Sequence, residues 1–314
     1  MEDNTLKMQI KLDHPKEQVF KALTTTDALK AWFAEDADIA IDDKRYAFWG
    51  KFTPGNPDKS TGTKHEILEI KPDELLKFRW QTTPEITTVV EFHLREDDGI
   101  TTLLVLQTRS GTDMHHAAVY TMEDFWFLTL ENLRRYLDGK PSDARVDFSA
   151  KLKGNITWDT LIDAPAERVF DVLIKPEHLN KWIAHNAEVD PRIGGEFSYG
   201  WGGVPPFKIV ELEPNRKLAY DWDEEDPNGD MQHTIVTWTL EESNGKTRLT
   251  IVQSGFAPDA DNDGIHVGWR NFLNWIRSLS EYGDTWQPPV LHIKDPAWAT
   301  FYAASISERQ AQFD

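Results

Sequence analysis

The sequence predicts an α+β protein made of two tandem copies of one domain, each an antiparallel sheet packed on a long C-terminal helix. Three observations predict this fold. Short apolar patterns recur in the same order in both halves of the chain, most of them alternate with the period of a strand, and each half closes on an amphipathic helix. The length of 314 residues exceeds one typical core and suits two.

Each copy opens with an alternating run that predicts a strand, followed by Pro15 or Pro165. Proline is favoured just inside a helix start, because its missing N–H would lack a partner there, so a helix is expected next. A second short helix follows, in which Leu, Trp and an apolar residue share one face. Its two sequences are LKAWFAEDADI (29–39) and LNKWIAHNAEV (179–189).

Strands fill the middle of each copy. The segments HEILEIKPDELLKFRW (65–80) and FKIVELEPNRKLAYDW (207–222) both place a Pro turn between two alternating runs. The next strand pair turns at Asp98-Gly99 in the first copy and at Asn244-Gly245 in the second. Such dipeptides predict type I′ hairpins, since both central residues need positive φ.

A long amphipathic helix closes each copy and sets the domain boundaries. The copies span about 5–141 and 152–286, and the polar, Gly- and Pro-containing segment 137–154 is predicted to be the linker. We therefore predict domains at 1–145 and 146–288, followed by a helical tail at 289–314. Asp295 and Pro296 fit a helix start in this tail, and Trp298, Phe301, Tyr302 and Ser305 follow helical spacing.

Composition narrows the classes of function. The net charge of −19 disfavours nucleic acid and anionic membranes as partners, and no apolar run is long enough for a membrane span. The absence of cysteine excludes disulfides and thiolate chemistry. The start MEDNTLKMQIKLDHP lacks the apolar stretch of a signal peptide, so a soluble cytoplasmic protein is expected.

Strand alternation predicts which side chains face the final helix. Phe78 and Trp80 share a face in the first copy, as Tyr220 and Trp222 do in the second. Gln107 and Gln253 end matching apolar strand faces. Such a Gln either orients a polar ligand group or satisfies the backbone where the strand ends.

The repeated pattern resembles the SRPBCC (START-like) superfamily, and within it the activator of heat-shock protein 90 ATPase homologue-like family. The likeness covers both copies and rests on the order of many weak motifs: a Val-Phe pair near Pro, Leu-x-x-Trp, Glu-x-x-Pro-x-x-x-Leu-x-[Phe/Tyr]-x-Trp and a Trp-bearing last helix. The first copy carries it at Val19, Phe20, Leu29, Trp32, Glu69, Pro72, Leu76, Phe78, Trp80 and Trp126. The second does so at Val169, Phe170, Leu179, Trp182, Glu211, Pro214, Leu218, Tyr220, Trp222 and Trp269.

The resemblance implies a helix-grip fold, with a cavity between a curved sheet and the last helix. Members of the superfamily bind apolar small molecules or lipids, and some catalyse reactions or act as co-chaperones. We predict a non-enzymatic protein that binds a small apolar or lipid-like ligand, without a cofactor. A co-chaperone-like interaction module and a cyclase- or hydrolase-like enzyme are the alternatives, and a chaperone or a second copy of the chain are further candidate partners. The expected ligand-binding residues are Trp32, Phe78, Trp80, Phe92, Gln107, Trp126, Trp182, Tyr220, Trp222, Trp238, Gln253 and Trp269.

No catalytic residue or metal site is predicted. Asp221, Asp223, Arg79 and His93 alternate to the outer face of their strands, and His115-His116 has no counterpart in the second copy. The segment 259–270 matches the first, third, fifth and sixth positions of a calcium-binding EF-hand loop, but it has Arg at the twelfth. We expect a solvated acidic loop there.

Overall fold

A computed structural model of the chain describes residues 5–62, 64–82, 86–108, 116–225, 231–293 and 304–307. The chain forms two compact units: residues 1–151 with 289–292, and residues 152–288 with 293–314. Each unit combines an antiparallel sheet with helices, the longest of which comes last, so the α+β fold predicted from the repeat is confirmed.

The first unit follows the predicted order strand, helix, helix, strands, helix. Short turns of 3₁₀ and α-helix, Ile41–Asp43 and α3, interrupt its strands. Its elements are β1 (Thr5–Leu12), α1 (Lys16–Thr24), α2 (Thr26–Trp32), β2 (Asp36–Ala40), β3 (Arg45–Trp49), α3 (Lys59–Gly62), β4 (Glu66–Lys71), β5 (Leu75–Gln81), β6 (Thr87–Asp97), β7 (Ile100–Thr108) and α4 (His116–Leu137).

The second unit repeats this order. A 3₁₀ turn at Gly283–Thr285 follows its last helix, and two short strands come later in the chain, β15 (Val290–Ile293) and β16 (Ser305–Ser307). Its elements are β8 (Ile156–Ile162), α5 (Ala166–Ile174), α6 (Pro176–Trp182), β9 (Glu188–Val189), β10 (Glu196–Ser198), β11 (Phe207–Glu213), β12 (Lys217–Glu225), β13 (Met231–Ser243), β14 (Lys246–Ser254) and α7 (Asp263–Tyr282).

The two sheets have the same topology. Strands of the first unit lie in the order β15-β1-β7-β6-β5-β4-β3-β2, and those of the second in the order β8-β14-β13-β12-β11-β10-β9. The opening strand of each copy therefore pairs with the strand before its last helix, at Met8 with Val105 and at Trp158 with Ile251. Beyond the repeat, β1 also pairs with β15, so that Met8 lies opposite Leu291.

Both predicted hairpins are present. Asp98 and Gly99 have φ of 48° and 79°, and Asn244 and Gly245 have φ of 53° and 74°. Positive φ at both central residues is the backbone of a type I′ turn, whose twist matches that of the flanking strands. The strand register on either side is thus fixed by the same chemistry in both copies.

The first helix of each copy begins one residue later than the prolines predicted. Pro15 and Pro165 are the cap residues, and their carbonyls accept bonds from Val19 and Val169 at 3.1 and 3.2 Å. A residue at the cap keeps extended backbone while its carbonyl accepts the first helical bond. The prolines therefore still mark the helix starts, from just outside them.

The predicted linker is partly folded onto the first unit. Ala144 and Val146 are buried, and the Asn132 side chain of α4 donates to the carbonyl of Ala144 at 2.7 Å. Burial of the two apolar side chains fixes a segment whose polar, Pro-containing sequence had predicted an open connection. This part of the predicted linker therefore belongs to the packed body of the first unit.

Arg145 joins this segment to the second short helix. Its guanidinium donates to the carbonyls of Ala31 and Trp32, at the end of α2, and lies 5.7 Å from the ring centre of Phe52. The last carbonyls of a helix have no partner within the helix, so a cationic donor stabilises them and the local dipole. Arg145 thus caps α2 from the segment that follows α4.

The predicted helical tail needs correction where the structure describes it. Ser305, predicted to face this helix, lies in the strand Ser305–Ser307. A further strand, Val290–Ile293, comes before the predicted helix start at Asp295. The backbone groups of β15 pair with those of β1. The remaining residues predicted to start and face this helix, Asp295, Pro296, Trp298, Phe301 and Tyr302, lie outside the described residues. No helix in the described ranges has the length and apolar character needed to cross a bilayer.

Candidate functional site

In the first unit, the side chains predicted to face the last helix form one buried aromatic layer. Phe78, Trp80 and Phe92 point inward from β5 and β6 and are fully buried. The ring of Trp126, on α4, lies 6.1 Å from Trp80 and 5.8 Å from Phe92 between centroids, with edges meeting faces. Such edge-to-face contacts add to the stabilisation from apolar burial. Alternation along the strands therefore predicted this face correctly.

The second unit builds the matching layer. Tyr220 and Trp238 are buried, and Trp269 of α7 lies 5.6 Å from Trp238 and 5.4 Å from Trp222. Trp222 differs from its counterpart Trp80 because it is only half-buried. The two copies therefore share the layer but not its exposure.

A chain of hydrogen bonds crosses this layer in the first unit. The Trp126 indole donates to the Gln107 side-chain oxygen at 2.7 Å, and the Gln107 amide donates to the Thr88 hydroxyl at 3.0 Å. Thr88 in turn donates to the Trp80 carbonyl at 3.1 Å. All four residues are buried, so water cannot reach their polar groups, and these bonds satisfy them instead.

The second unit repeats the chain with nearly the same distances. Trp269 donates to Gln253 at 2.6 Å, Gln253 donates to Thr234 at 3.0 Å, and Thr234 donates to the Trp222 carbonyl. Gln107 and Gln253 therefore join a strand to the last helix, a role that neither sequence interpretation predicted. The threonines were missed, although both occupy the same place in the repeat, two residues before Val90 or Val236.

Trp32 and Trp182 lie at the edge of the layer and hold the two short helices together. Each indole N–H donates at 3.0 Å to a carbonyl of the preceding helix, that of Ala22 or Val172, and each ring is almost fully buried. Since the N–H is already bonded, these residues present only ring surface to the interior. Trp32 and Trp182, predicted as ligand-binding residues, therefore also join the two short helices of their units.

The units differ at one position of the last helix. Phe125 precedes Trp126 in the first unit and lies 5.8 Å from the ring of Trp80. The residue before Trp269 is Gly268, so α7 offers no side chain there. The second unit thus has no counterpart of the Phe125 ring, which contacts Trp80 in the first unit.

The connection after the third strand of each copy also differs. In the first unit the β3–β4 loop, residues 50–65, contains α3, whereas its counterpart spans only residues 199–206. Gly55 of the β3–β4 loop has φ of 82°, and a Cβ there would lie 1.8 Å from the Thr82 carbonyl oxygen. The loop therefore closes tightly on the end of β5, beside Trp80.

Two polar features of the layer were missed by the sequence analysis. His65, just before β4, is buried against Phe48, with ring centroids 4.2 Å apart, where the second copy has Phe207. In the second unit the hydroxyls of Tyr199 and Tyr220 lie 2.7 Å apart, and burial raises the pKa of both well above the usual value. These phenols stay protonated and serve as hydrogen-bonding groups. The alignment of His65 with Phe207 was the available signal for the first.

The acid–base candidates on the strands face away from the layer. Arg79 pairs with Glu66, His93 lies 2.9 Å from Glu91, and Asp223 lies 2.7 Å from His233, all on exposed or half-exposed surface. Exposed pairs of this kind contribute little to stability. His115 and the side chain of His116 lie outside what the structure describes. The described residues contain no cluster of metal-ligating side chains.

Comparison with known proteins gives one match per unit. A sequence model of the family described as "Activator of Hsp90 ATPase homolog 1-like protein" matches residues 13–138 and 163–281. No curated protein matches the chain.

Three of the solved structures similar to this chain cover either one unit or most of the chain. Protein MLL2253 from Mesorhizobium loti is 30% identical, with coverage of 41% of this chain and 98% of that chain and a TM-score of 0.37. DynU16, from the dynemicin biosynthetic locus, is 18% identical over 88% of this chain and 97% of that chain, with a TM-score of 0.33. The Aha1 dimer from Colwellia psychrerythraea is 21% identical over 41% of this chain and 98% of that chain, with a TM-score of 0.36.

Proposed function

Because this chain belongs to the family of activator of Hsp90 ATPase homolog 1-like proteins, we propose that it binds a small apolar ligand between sheet and last helix, without converting it. The second unit is the proposed entry site. One observation carries the proposal: the ring of Trp222 is only half-buried, and it lies 5.4 Å from the ring of Trp269, whose neighbour in α7, Gly268, has no side chain. Apolar ring surface left open next to a buried aromatic layer favours an apolar occupant.

The surroundings of Trp222 fit such an occupant. Its ring stacks on Phe207, with centroids 4.7 Å apart and planes at 13°, and meets Trp201 at 5.8 Å. The Trp201 indole donates to the Ile183 carbonyl at 2.9 Å, which fixes that ring in place. The rings are thus preorganised, and a flat apolar molecule that covers them would lose little entropy in the protein on binding.

The buried polar groups of this layer support binding rather than acid–base catalysis. Tyr199 and Tyr220 bond to one another, and Tyr220 also accepts from the Trp238 indole at 3.1 Å. General acid–base work requires a group whose pKa lies near the working pH, and burial moves these phenols away from it. The enzyme and co-chaperone alternatives stay predictions.

The test uses N-phenylnaphthylamine, a neutral fluorophore whose emission rises in apolar surroundings. Gly268→Phe places in α7 the residue type that the first unit has at position 125, and should weaken binding of the probe at least tenfold. Gly268→Ala, which adds one methyl group, is the matched control and should bind within about twofold of the unaltered protein. Equal affinity of Gly268→Phe and the unaltered protein, with both folded by circular dichroism, would place the probe elsewhere and refute the proposal.

A further inference from the structure

The His65 side chain is buried without a hydrogen-bond partner. Only 5% of the residue is exposed, and neither ring nitrogen has a hydrogen-bond partner among the described residues. Its ring packs against the Phe48 ring. Buried polar groups in native proteins are nearly always bonded, and one left unbonded costs about 1–3 kcal/mol.

The side chain of Trp80 is also buried with an unsatisfied polar group. It is fully buried, and its indole N–H has no acceptor in the part of the chain that the structure describes. Its ring centroid lies 5.5 Å from that of Phe48, so the two unpartnered side chains flank one aromatic ring. Glu66 pairs with Arg79, which places His65 at the position that faces Trp80 across the same strand pair. Two adjacent residues therefore lack partners at one place.

The surroundings define what could satisfy these groups. The rings that pack on Trp80 are Phe33, Phe48, Phe125 and Trp126, and the only indole N–H among them is already bonded to Gln107. Burial lowers the pKa of His65 to about 4, so its imidazole is neutral at physiological pH. A neutral imidazole offers one donor and one acceptor. The rings that pack on Trp80 and His65 carry no charge, so they would not compensate a charged ligand.

We propose that the first unit binds a neutral apolar ligand that carries a carbonyl or hydroxyl oxygen, held by the Trp80 N–H and the His65 ring. This inference rests on the proposed function, which it extends to a second and chemically different site. The second unit has Phe207 at the position of His65, and its ring stacks on Trp222. At this one position the layer therefore has a polar ring in the first unit and an apolar ring in the second.

The test compares two probes that differ by one ketone: prodan, a dimethylaminonaphthalene with a propionyl group, and the same naphthalene without it. His65→Phe removes both ring nitrogens and introduces the residue that the second unit has at this position. Prodan should bind the variant about fivefold to tenfold more weakly, the loss expected for one neutral hydrogen bond, while the ketone-free probe should bind equally. Trp80→Phe is a second variant that removes the indole N–H, and it should show the same selective loss.

The possible results separate this site from the proposed function. A loss that is equal for both probes, or absent for both, in folded His65→Phe protein would overturn the polar contact and leave the apolar ligand proposal standing. Failure of either probe to bind the unaltered protein would overturn both. Measurement in a Gly268→Phe background, where the second unit is filled, should retain the selective loss; its disappearance there would assign prodan to the second unit and refute this site.

Discussion

Trp126 and Gln107 join the last helix of the first unit to its sheet through one hydrogen bond of 2.7 Å, and Trp269 and Gln253 repeat it in the second unit at 2.6 Å. The pair fixes the position of the helix over the aromatic layer, because the bond is buried at both ends. The distance between sheet and helix is therefore fixed beside this pair, whether or not a ligand lies between them.

Gln107→Leu should destabilise the first unit by about 2–3 kcal/mol, because the buried Trp126 N–H loses its acceptor. Addition of Trp126→Phe removes that orphaned donor, so the double variant should lose about 1–2 kcal/mol less than the sum of the single losses. Urea unfolding followed by fluorescence measures all three. Strictly additive losses would show that the pair is not coupled.

His65 should make the stability of the first unit depend on pH. Its pKa is about 4 in the folded protein and 6.5 in the unfolded chain, so the unfolded state takes up a proton first as the pH falls. The contribution of His65 to the free energy of unfolding is therefore fully present above about pH 6.5. It is lost between about pH 6.5 and 4, and amounts to about 3 kcal/mol. His65→Phe should lack this component in urea unfolding at a series of pH values. A variant whose stability falls as steeply as that of the unaltered protein would contradict the assignment.

Gly55→Ala should displace the β3–β4 loop from Thr82, because the new Cβ would lie 1.8 Å from the Thr82 carbonyl oxygen. Trp80 should then become more accessible, as measured by acrylamide quenching of tryptophan fluorescence. Gly99→Ala is the matched control: its φ of 79° is equally unfavourable for alanine, but nothing lies within 4 Å of the new Cβ. Equal quenching in both variants would show that the loop does not cover Trp80.

Arg145→Ala should leave the last carbonyls of α2 without their cationic donor and destabilise the first unit by about 1–3 kcal/mol. Hydrogen exchange should accelerate mainly in α2, since the capped helix end opens first. Lys151→Ala removes the same charge from an exposed position and serves as control. Unchanged exchange in α2 would mean that Arg145 does not hold this helix.

The order of elements was predictable from the sequence because local patterns determine it. Asp98-Gly99 and Asn244-Gly245 specify their turns by backbone sterics, and alternation along β5 and β12 separates inner from outer side chains. These rules act over a few residues and hold whatever the rest of the chain does. The repeat then supplied an internal check, because each pattern occurred twice.

Contacts between distant residues were not predictable in the same way. Gln107 bonds to Trp126 because β7 and α4 pack together. Whether a buried side chain such as His65 finds a hydrogen-bond partner likewise depends on elements that are distant in the sequence. Trp222 is half-buried whereas its counterpart Trp80 is fully buried, and no local pattern in the sequence marks this difference. The buried segment around Ala144 was missed because its composition is typical of a linker.

The pairing of β15 with β1 has a consequence for any attempt to separate the halves. Without residues 290–293, β1 would be the edge strand of its sheet, with a row of backbone groups at Lys7, Met8 and Gln9 open to another chain. A fragment that stops at residue 151 should therefore self-associate through this edge, whereas the whole chain protects it. The sheet of the first domain is thus completed by strand β15, which follows the whole second domain in the sequence.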